Sequence, residues 1–333
     1  MIRSYPALAG AAALALCTVT AFHASAQQNV PAAPAETPTA PAPTLGPAAP
    51  VFPKADPANF TAPQPTPQVV GDFLQANWGY DPDRVWQVQA ILKTQVEGIS
   101  KVVVLIGDKT GKQKMSALQF FALPDGKHII AGDEIIPFGA HPWAENRALL
   151  QEKADGPYHG AASKDLEIVE FADLQCPHCK DAQANMDKLA VDFPKARIVF
   201  QNYPLARIHP AANLAAGYGD CVTKLGGSTA FFQFASAVFD GQEGLATSDG
   251  ATLTLNSAVA KAGLDPAKVQ ACATTPATTS DVQASVKLAQ SLNVVETPTL
   301  FVNGRLIPIG GLPYDTLKKI VQFQISQDGV AAQ

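Results

Sequence analysis

Two cysteines separated by two residues, in the run Cys176-Pro177-His178-Cys179, constrain the fold more than any other feature of the sequence. The run follows a mostly apolar stretch that predicts a strand, and it opens residues 177–192, whose apolar spacing and early proline predict a helix. Unpaired backbone N–H groups at a helix start stabilise an anion, and so does the helix macrodipole. The sequence therefore predicts an α/β scaffold on which the thiol of Cys176 has a lowered pKa.

This close pair favours redox chemistry. Cys176 would attack or be attacked, and Cys179, one helical turn along and more buried, would resolve the mixed disulfide. His178 would stabilise the thiolate of Cys176 as an imidazolium or a hydrogen-bond donor. One alternative is a structural zinc site, which needs two close cysteine pairs, but Cys221 and Cys272 are far apart in the sequence. The other is a purely structural disulfide between Cys176 and Cys179, whose loop would be too small to add much stability.

The first 26 residues predict a secretory signal peptide, because Arg3 is followed by an apolar run and a small-x-small ending. Cys17 within it suggests lipidation, but Leu16 stands where a lipoprotein signal needs a small residue. Removal of residues 1–26 would leave four of the five cysteines, an even number that favours disulfides in an oxidising compartment. We therefore expect a periplasmic or otherwise extracytoplasmic protein.

Residues 27–67 are rich in proline and alanine and have almost no charge, which predicts a disordered, extended linker. The formal net charge of the whole chain is −5, and no cluster of lysine or arginine stands out. Nucleic acid is therefore excluded as an expected partner.

Residues 68–140 predict a small α+β domain, followed by a connecting helix over residues 141–154. The apolar spacing predicts one helix over residues 83–96 and strands over residues 99–106, 115–123 and 128–136, the last two joined by a tight turn. So small a domain has few buried positions, so we expect it to lean on a partner subunit or on the next domain.

Residues 155–327 predict the order strand, helix, strand, several helices, strand, strand and helix. This order is that of a thioredoxin fold with a helical insertion between its halves, an α/β fold preceded here by the small α+β domain. The predicted strands cover residues 166–171, 197–201, 300–303 and 306–309, and the last helix covers residues 314–325. Residues 328–333 would form a flexible tail.

The motif around the cysteine pair, together with Glu170 before it and the run from Thr297-Pro298 to Gly304, resembles the DsbA-like thioredoxin-fold family. The resemblance covers roughly residues 155–327. It implies that Thr297 and Pro298 form a cis-proline loop facing the redox cysteines, where outward backbone groups can pair with an extended substrate. It also implies that Glu170 is a buried acid that relays a proton to or from Cys179.

The sequence alone leaves open whether the side chain of Glu170 is buried or exposed. A carboxylate buried in an apolar strand has a raised pKa and can serve as acid or base. Strand alternation could instead turn Glu170 to solvent.

Cys221 and Cys272 lie in predicted helices of the insertion. Members of the family have cysteines in comparable places, which implies a structural disulfide worth about 4 kcal/mol in the chain-entropy model. The alternatives are two buried thiols or a second exchange step. The histidines outside the motif have no ligand spacing and are interpreted as surface or cap residues: His128, His141, His159 and His209.

Residues 123–132 and the connecting helix resemble the dimerisation region of the periplasmic disulfide isomerase and reductase family typified by DsbC and DsbG. The resemblance implies a homodimer, and Thr297 fits those relatives too. Pro177-His178 between the cysteines is instead the oxidase-like dipeptide. The two signals disagree about the direction of electron flow.

These observations predict an exported thiol:disulfide oxidoreductase that forms or isomerises disulfides. We expect its substrates to be unfolded or misoxidised secreted proteins, and its partner to be a membrane protein that recycles the cysteines. No metal or organic cofactor is expected. The alternative is a redox-regulated chaperone or peptide-binding module without catalytic turnover.

Overall fold

The computed structural model describes residues 52–330 of the chain. The predicted signal peptide, the linker up to residue 51 and the last three residues lie outside the described residues. The described part contains two five-stranded sheets, one in each predicted domain. Within residues 52–330, no helix combines the length and the apolar character needed to cross a membrane.

The first sheet is an antiparallel meander with one helix on one of its faces. Its elements are α1 (Pro67–Trp78), β1 (Arg84–Lys93), β2 (Ser100–Asp108), β3 (Ser116–Ala122), β4 (His128–Ala131) and β5 (Glu134–Pro137). Helix α1 begins where Thr66 accepts a hydrogen bond from Val69 N and Pro67 occupies the first turn. The helix buries Phe73 and Leu74 against the sheet.

The helix predicted over residues 83–96 is wrong, because this segment is strand β1. A bulge between Val88 and Ala90 shifts the register against β2, so the apolar residues lose the two-residue period and imitate helical spacing. The single strand predicted over residues 128–136 is likewise two strands, β4 and β5. They turn at Gly132, whose φ of +66° suits glycine.

The folded part begins earlier than the predicted linker boundary at residue 67. Phe60 forms a β-bridge with Ile91 of β1, and the Ser100 hydroxyl donates to the carbonyl oxygen of Gln64. Residues 52–66 are therefore not a disordered linker, because their backbone groups bond to the sheet.

The second sheet has the strand order β10-β9-β7-β8-β6, with β7 and β8 parallel and the other pairs antiparallel. With helices on both faces, this is the predicted thioredoxin fold. Its elements are α2 (Ala144–Lys153), β6 (Tyr158–Gly160), β7 (Glu167–Ala172), α3 (Pro177–Asp192), β8 (Arg197–Asn202), β9 (Thr299–Val302), β10 (Arg305–Pro308) and α8 (Tyr314–Gln327). All six residues of β7 are buried, so the strand that leads to the cysteines lies at the centre of the core.

The predicted helical insertion lies between β8 and β9. It consists of α4 (Ala212–Asp240), α5 (Ser248–Lys261), α6 (Pro266–Ala273) and α7 (Pro276–Ser291). Helix α4 is interrupted at Gly227, whose φ is +76°. A disulfide joins Cys221 of α4 to Cys272 of α6, with Thr278 Oγ1 3.4 Å and 3.8 Å from the two sulfur atoms.

The predicted flexible tail is ordered in its described part, residues 328–330. The Asp328 carboxylate accepts a hydrogen bond from Asn303 Nδ2 at 2.7 Å and pairs with Arg147 at 3.5 Å, and Val330 N donates to Ile325 O. These contacts tie the end of α8 to the turn between β9 and β10.

Arg305 connects the two domains. This buried guanidinium donates from β10 to the carbonyl oxygens of Ala76, at 3.1 Å, and of Asn77, both in the last turn of α1. Such carbonyls have no partner within their own helix, and they carry the negative end of its dipole. The small domain therefore packs on the thioredoxin domain of its own chain.

Candidate active site

The two cysteines of the close pair lie at the start of α3, just after β7. Cys176 is the N-cap residue and Pro177 is the first residue of the helix, as the sequence predicted for this boundary. Both thiols are reduced; Cys176 is 4% exposed and Cys179 is 0% exposed. Cys179 is therefore closed to solvent, whereas Cys176 keeps a small exposed fraction.

The local hydrogen bonds lower the pKa of Cys176 to about 5. The strongest contribution is the hydrogen bond from Cys179; partial burial opposes it, and Thr297 and the backbone N–H groups of Cys179 and His178 lower the pKa further. Cys176 is therefore a thiolate at neutral pH. The imidazole of His178 is exposed, and the contribution of His178 to this pKa comes from its backbone N–H; the role predicted for its side chain stays a prediction.

The pKa of Cys179 is shifted in the opposite direction from that of Cys176. Burial raises its pKa above the ordinary value, and the hydrogen bond with Cys176 and the nearby Glu170 raise it further. The Asp173 N–H donates to Cys179 Sγ at 3.4 Å and partly offsets these effects. One site thus contains one thiolate and one thiol that keeps its proton, a pair suited to thiol–disulfide exchange.

The Thr297–Pro298 peptide bond is cis, and the Thr297 carbonyl oxygen lies 3.6 Å from Cys176 Sγ; the sulfur donates to this oxygen only while Cys176 is protonated. The hydroxyl of Thr297 is buried and forms no hydrogen bond of normal geometry among the described residues, although it lies near enough to Cys176 to lower the pKa of that thiol. The loop from the far side of the insertion therefore lies beside the reactive sulfur.

Glu170 lies on β7 with its side chain inside the protein and not toward solvent, at 3% exposure. Burial raises the pKa of this carboxyl to about 8, and a hydrogen bond from Gln183 Nε2 at 3.2 Å moderates the shift. Gln183 also donates to the carbonyl oxygen of Cys179 at 3.0 Å, so one amide links the acid to the buried cysteine. The carboxyl can give or take a proton near neutral pH.

Several residues that fix the cysteine loop were not predicted. Asp173, which directly follows β7, accepts hydrogen bonds from the backbone N–H groups of Gln175 and Leu205, each at 2.8 Å, and lies 2.8 Å from His209 Nδ1. The interpretation of His209 as an ordinary surface or cap residue is therefore wrong. Asp173 stands within the motif and could have been found there, but its partners come from across the fold.

The insertion also holds the reactive cysteine. Gln242 Nε2 donates to the carbonyl oxygens of Leu174 and Cys176, each at 3.0 Å. No local pattern identifies Gln242, because the contact joins residues 66 positions apart. The insertion thus positions the cysteine loop as well as covering the sheet.

Zinc ligation by the four cysteines does not match this arrangement, because Cys221 and Cys272 are bonded to each other within the insertion. Across residues 52–330, no group of three or more histidine, cysteine or acidic side chains could hold a metal ion. The free cysteines of the described chain are Cys176 and Cys179.

The sequence of the chain is similar to proteins of known families. Residues 152–322, half of the chain, match the family model described as thioredoxin. A Na(+)/H(+) antiporter NhaA 3 of Salinispora tropica is 28% identical over 146 residues, which is 44% of this chain and 21% of that protein. The chain spans about a fifth of the length of such curated relatives, which include a further antiporter, NhaA 1 of Mycolicibacterium vanbaalenii, at 32% identity, with 42% of this chain and 22% of that protein covered.

Solved structures are similar as well. A thioredoxin-like oxidoreductase from Silicibacter pomeroyi is 25% identical with a TM-score of 0.46, and 56% of this chain and 99% of that chain are covered. BdbD from Bacillus subtilis is 23% identical with a TM-score of 0.46, and 51% of this chain and 93% of that chain are covered. The family assignment depends on the family model and on the strand order described above: the chain belongs to the thioredoxin family.

Proposed function

We propose that this protein is an extracytoplasmic thiol:disulfide oxidoreductase that forms or isomerises disulfides in secreted proteins through Cys176 and Cys179. The observation that carries the proposal is the opposite shift of the two thiol pKa values at one helix start, lowered for Cys176 and raised for Cys179. A thiolate attacks disulfides, and a low-pKa thiolate also leaves readily, so Cys176 is suited to both halves of an exchange.

In the oxidising direction the protein begins with a Cys176–Cys179 disulfide. A substrate thiolate attacks Cys176 Sγ, a substrate–Cys176 bond forms, and the Cys179 sulfur leaves and takes a proton, for which Glu170 is the nearby donor. A second substrate thiolate then attacks the substrate sulfur of the mixed disulfide, and Cys176 leaves as a thiolate. The substrate has lost two electrons and gained a disulfide, and the protein holds two reduced cysteines.

In the isomerising direction the Cys176 thiolate attacks a wrong substrate disulfide. A new substrate thiolate is released, and it can attack elsewhere in the substrate before it displaces Cys176. No net oxidation occurs when the substrate rearranges. When it does not, Cys179 attacks Cys176 Sγ, the substrate leaves with both of its sulfurs reduced, and the protein is left with the Cys176–Cys179 disulfide. The low pKa of Cys176 stabilises the reduced protein, which favours the oxidising direction of the two.

The compartment and the partners are part of the proposal. The predicted signal peptide over residues 1–26 supports export, and an oxidising enzyme then needs a membrane partner that reoxidises its cysteines. The exposed face of the first sheet, with Phe121 at 40% and Ile135 at 57% exposure, supports the predicted homodimer.

Refolding of scrambled ribonuclease and reduction of insulin test the function. We expect the wild type to accelerate both, Cys176→Ser to abolish both, and Cys179→Ser to accumulate mixed disulfides with the substrate. Activity that survives in Cys176→Ser would contradict the proposal. Suppressed aggregation without turnover, unchanged in the variant lacking both cysteines, would identify the chaperone alternative instead.

A further inference from the structure

A groove of about 690 Å³ opens beside the reactive cysteine. One wall is a stripe of α3 formed by His178, Asp181 and Asn185, which are spaced three and four residues apart and so share a helix face. The opposite walls are the cis-proline loop with Glu296 and the turn over residues 309–312. Thr297 lines the groove and has its carbonyl oxygen 3.6 Å from Cys176 Sγ, so a substrate segment in the groove lies beside the reactive sulfur.

The charge of the groove is negative and uncompensated. Asp181 and Glu296 are exposed carboxylates on opposite walls, and neither forms an ion pair within residues 52–330. The lining contains no lysine or arginine, and His178 is its single basic side chain. Two like charges facing one cleft attract positively charged ligands and repel negatively charged ones.

A second observation points to a ligand in the same groove. Thr297 lines it, is 7% exposed, and has a hydroxyl that forms no hydrogen bond of normal geometry in the described part of the chain, although it lies near enough to Cys176 to lower the pKa of that thiol. Buried hydroxyls normally have a well-aligned partner, so a polar group of a bound chain can complete the hydrogen bonding of this one beside the sulfur. Its own carbonyl oxygen contacts Cys176, which places that group next to the reacting sulfur.

We infer that this groove selects substrate segments with lysine or arginine next to the reacting cysteine, held by Asp181 and Glu296 on either side. The inference rests on the proposed function and adds a substrate class to it. An extended peptide advances about 3.3 Å per residue, so residues within three positions of the cysteine lie within about 10 Å of it, where long basic side chains can meet the carboxylates of the groove.

The expected size of the preference follows from the exposure of the two carboxylates. Exposed ion pairs are weak and screened by salt, so each contributes a factor of a few at most. Together they should give roughly a three- to tenfold difference between basic and acidic substrates at low ionic strength. The preference should shrink as salt is added.

The test uses three disulfide-linked fluorogenic peptides that differ only in having Lys, Gln or Glu beside each cysteine. We expect kcat/KM to fall in the order Lys, Gln, Glu for the wild type. In the double variant Asp181→Asn/Glu296→Gln the Lys-to-Glu ratio should approach one, and in Asp181→Lys/Glu296→Lys it should invert. Asp187→Asn, which removes an exposed carboxylate of α3 outside the groove, is the matched control and should keep the wild-type ratio.

A binding measurement separates this inference from the proposed function. Fluorescence anisotropy of the same peptides with serine in place of cysteine measures groove selectivity without exchange. Tighter binding of the Lys peptide without turnover of any disulfide peptide would sink the proposed function and support the groove. Equal binding of the Lys and Glu peptides, or a kcat/KM ratio that charge reversal does not move, would overturn the inference while turnover of the Gln peptide upholds the function.

Discussion

The two sheets of this protein have the same number of strands and different degrees of cover. Strand β7 of the second sheet is buried along its whole length, whereas the first sheet has α1 on one face and an exposed apolar row on the other. In that row Phe121 lies opposite Ile130, which lies opposite Ile135. The second sheet is packed on both faces, and this burial raises the pKa of Glu170 and closes Cys179 to solvent.

The largest expected difference between the sheets is in the stability of phenylalanine truncations. Phe171→Ala in β7 removes a side chain that is 0% exposed and packs on Phe301, so it should lower the free energy of unfolding by about 3–5 kcal/mol. Phe121→Ala on the first sheet is the matched control; made together with Ile135→Lys, which keeps this face free of a second copy, it should cost less than about 1 kcal/mol. Urea denaturation measures both. Similar losses for the two variants would contradict the difference in burial between the two sheets.

Removal of the disulfide in the insertion tests how much this bond stabilises the helices that pack near the second sheet. Cys221 and Cys272 are 51 positions apart, so the double variant with alanine at both should lose about 4 kcal/mol in the chain-entropy model. Peptide mass mapping should also find this bond intact under a mild reductant that opens Cys176–Cys179. Alkylation of both residues without prior reduction would contradict the assignment.

Glu170 tests whether burial sets the pH response. Its folded pKa of about 8 lies above the ordinary 4.5, so the folded state holds this proton more tightly and its free energy of unfolding falls as pH rises between those values. Glu170→Gln should remove that loss. The free energy of unfolding of the variant minus that of the wild type should therefore rise by roughly 2–4 kcal/mol between pH 4.5 and pH 8. Denaturation across this range measures it. A difference between wild type and variant that does not change with pH would rule out the raised pKa.

The smallest expected effect on stability concerns the open face of the first sheet, which we propose is covered by a second copy of the chain. If its open face is covered by a second copy, light scattering on the mature protein should give twice the mass of one chain. Ile135→Lys, at the exposed row, should then give the single-chain mass with unchanged exchange activity. A single-chain mass for the wild type would end the dimer proposal.

Local rules explain which parts of the fold were predictable. Helix α3 has the predicted bounds because a strand end and Pro177 fix its start chemically. Strand β1 was misassigned because a bulge, which depends on pairing with β2, changes the period of its apolar residues. The first sheet also gained residues 52–66, whose composition resembles the linker but whose backbone pairs with the sheet.

The candidate site divides in the same way. Cys176, Cys179 and Thr297 are visible in the sequence because each stands in a short motif. His209 and Gln242 are not, because they contact the cysteine loop only after the insertion folds over it. Their role belongs to tertiary structure, and no spacing along the chain encodes it.

The start of α3 holds one thiolate beside one buried thiol, and the absorbance of the thiolate as a function of pH tests this pair without an assumed substrate. The wild type should titrate one cysteine with a midpoint near 5, and the second should stay protonated through neutral pH. Cys179→Ser, which keeps the helix start, should retain a lowered midpoint for Cys176. A single midpoint near the ordinary value of about 8.5 for both cysteines would contradict the account.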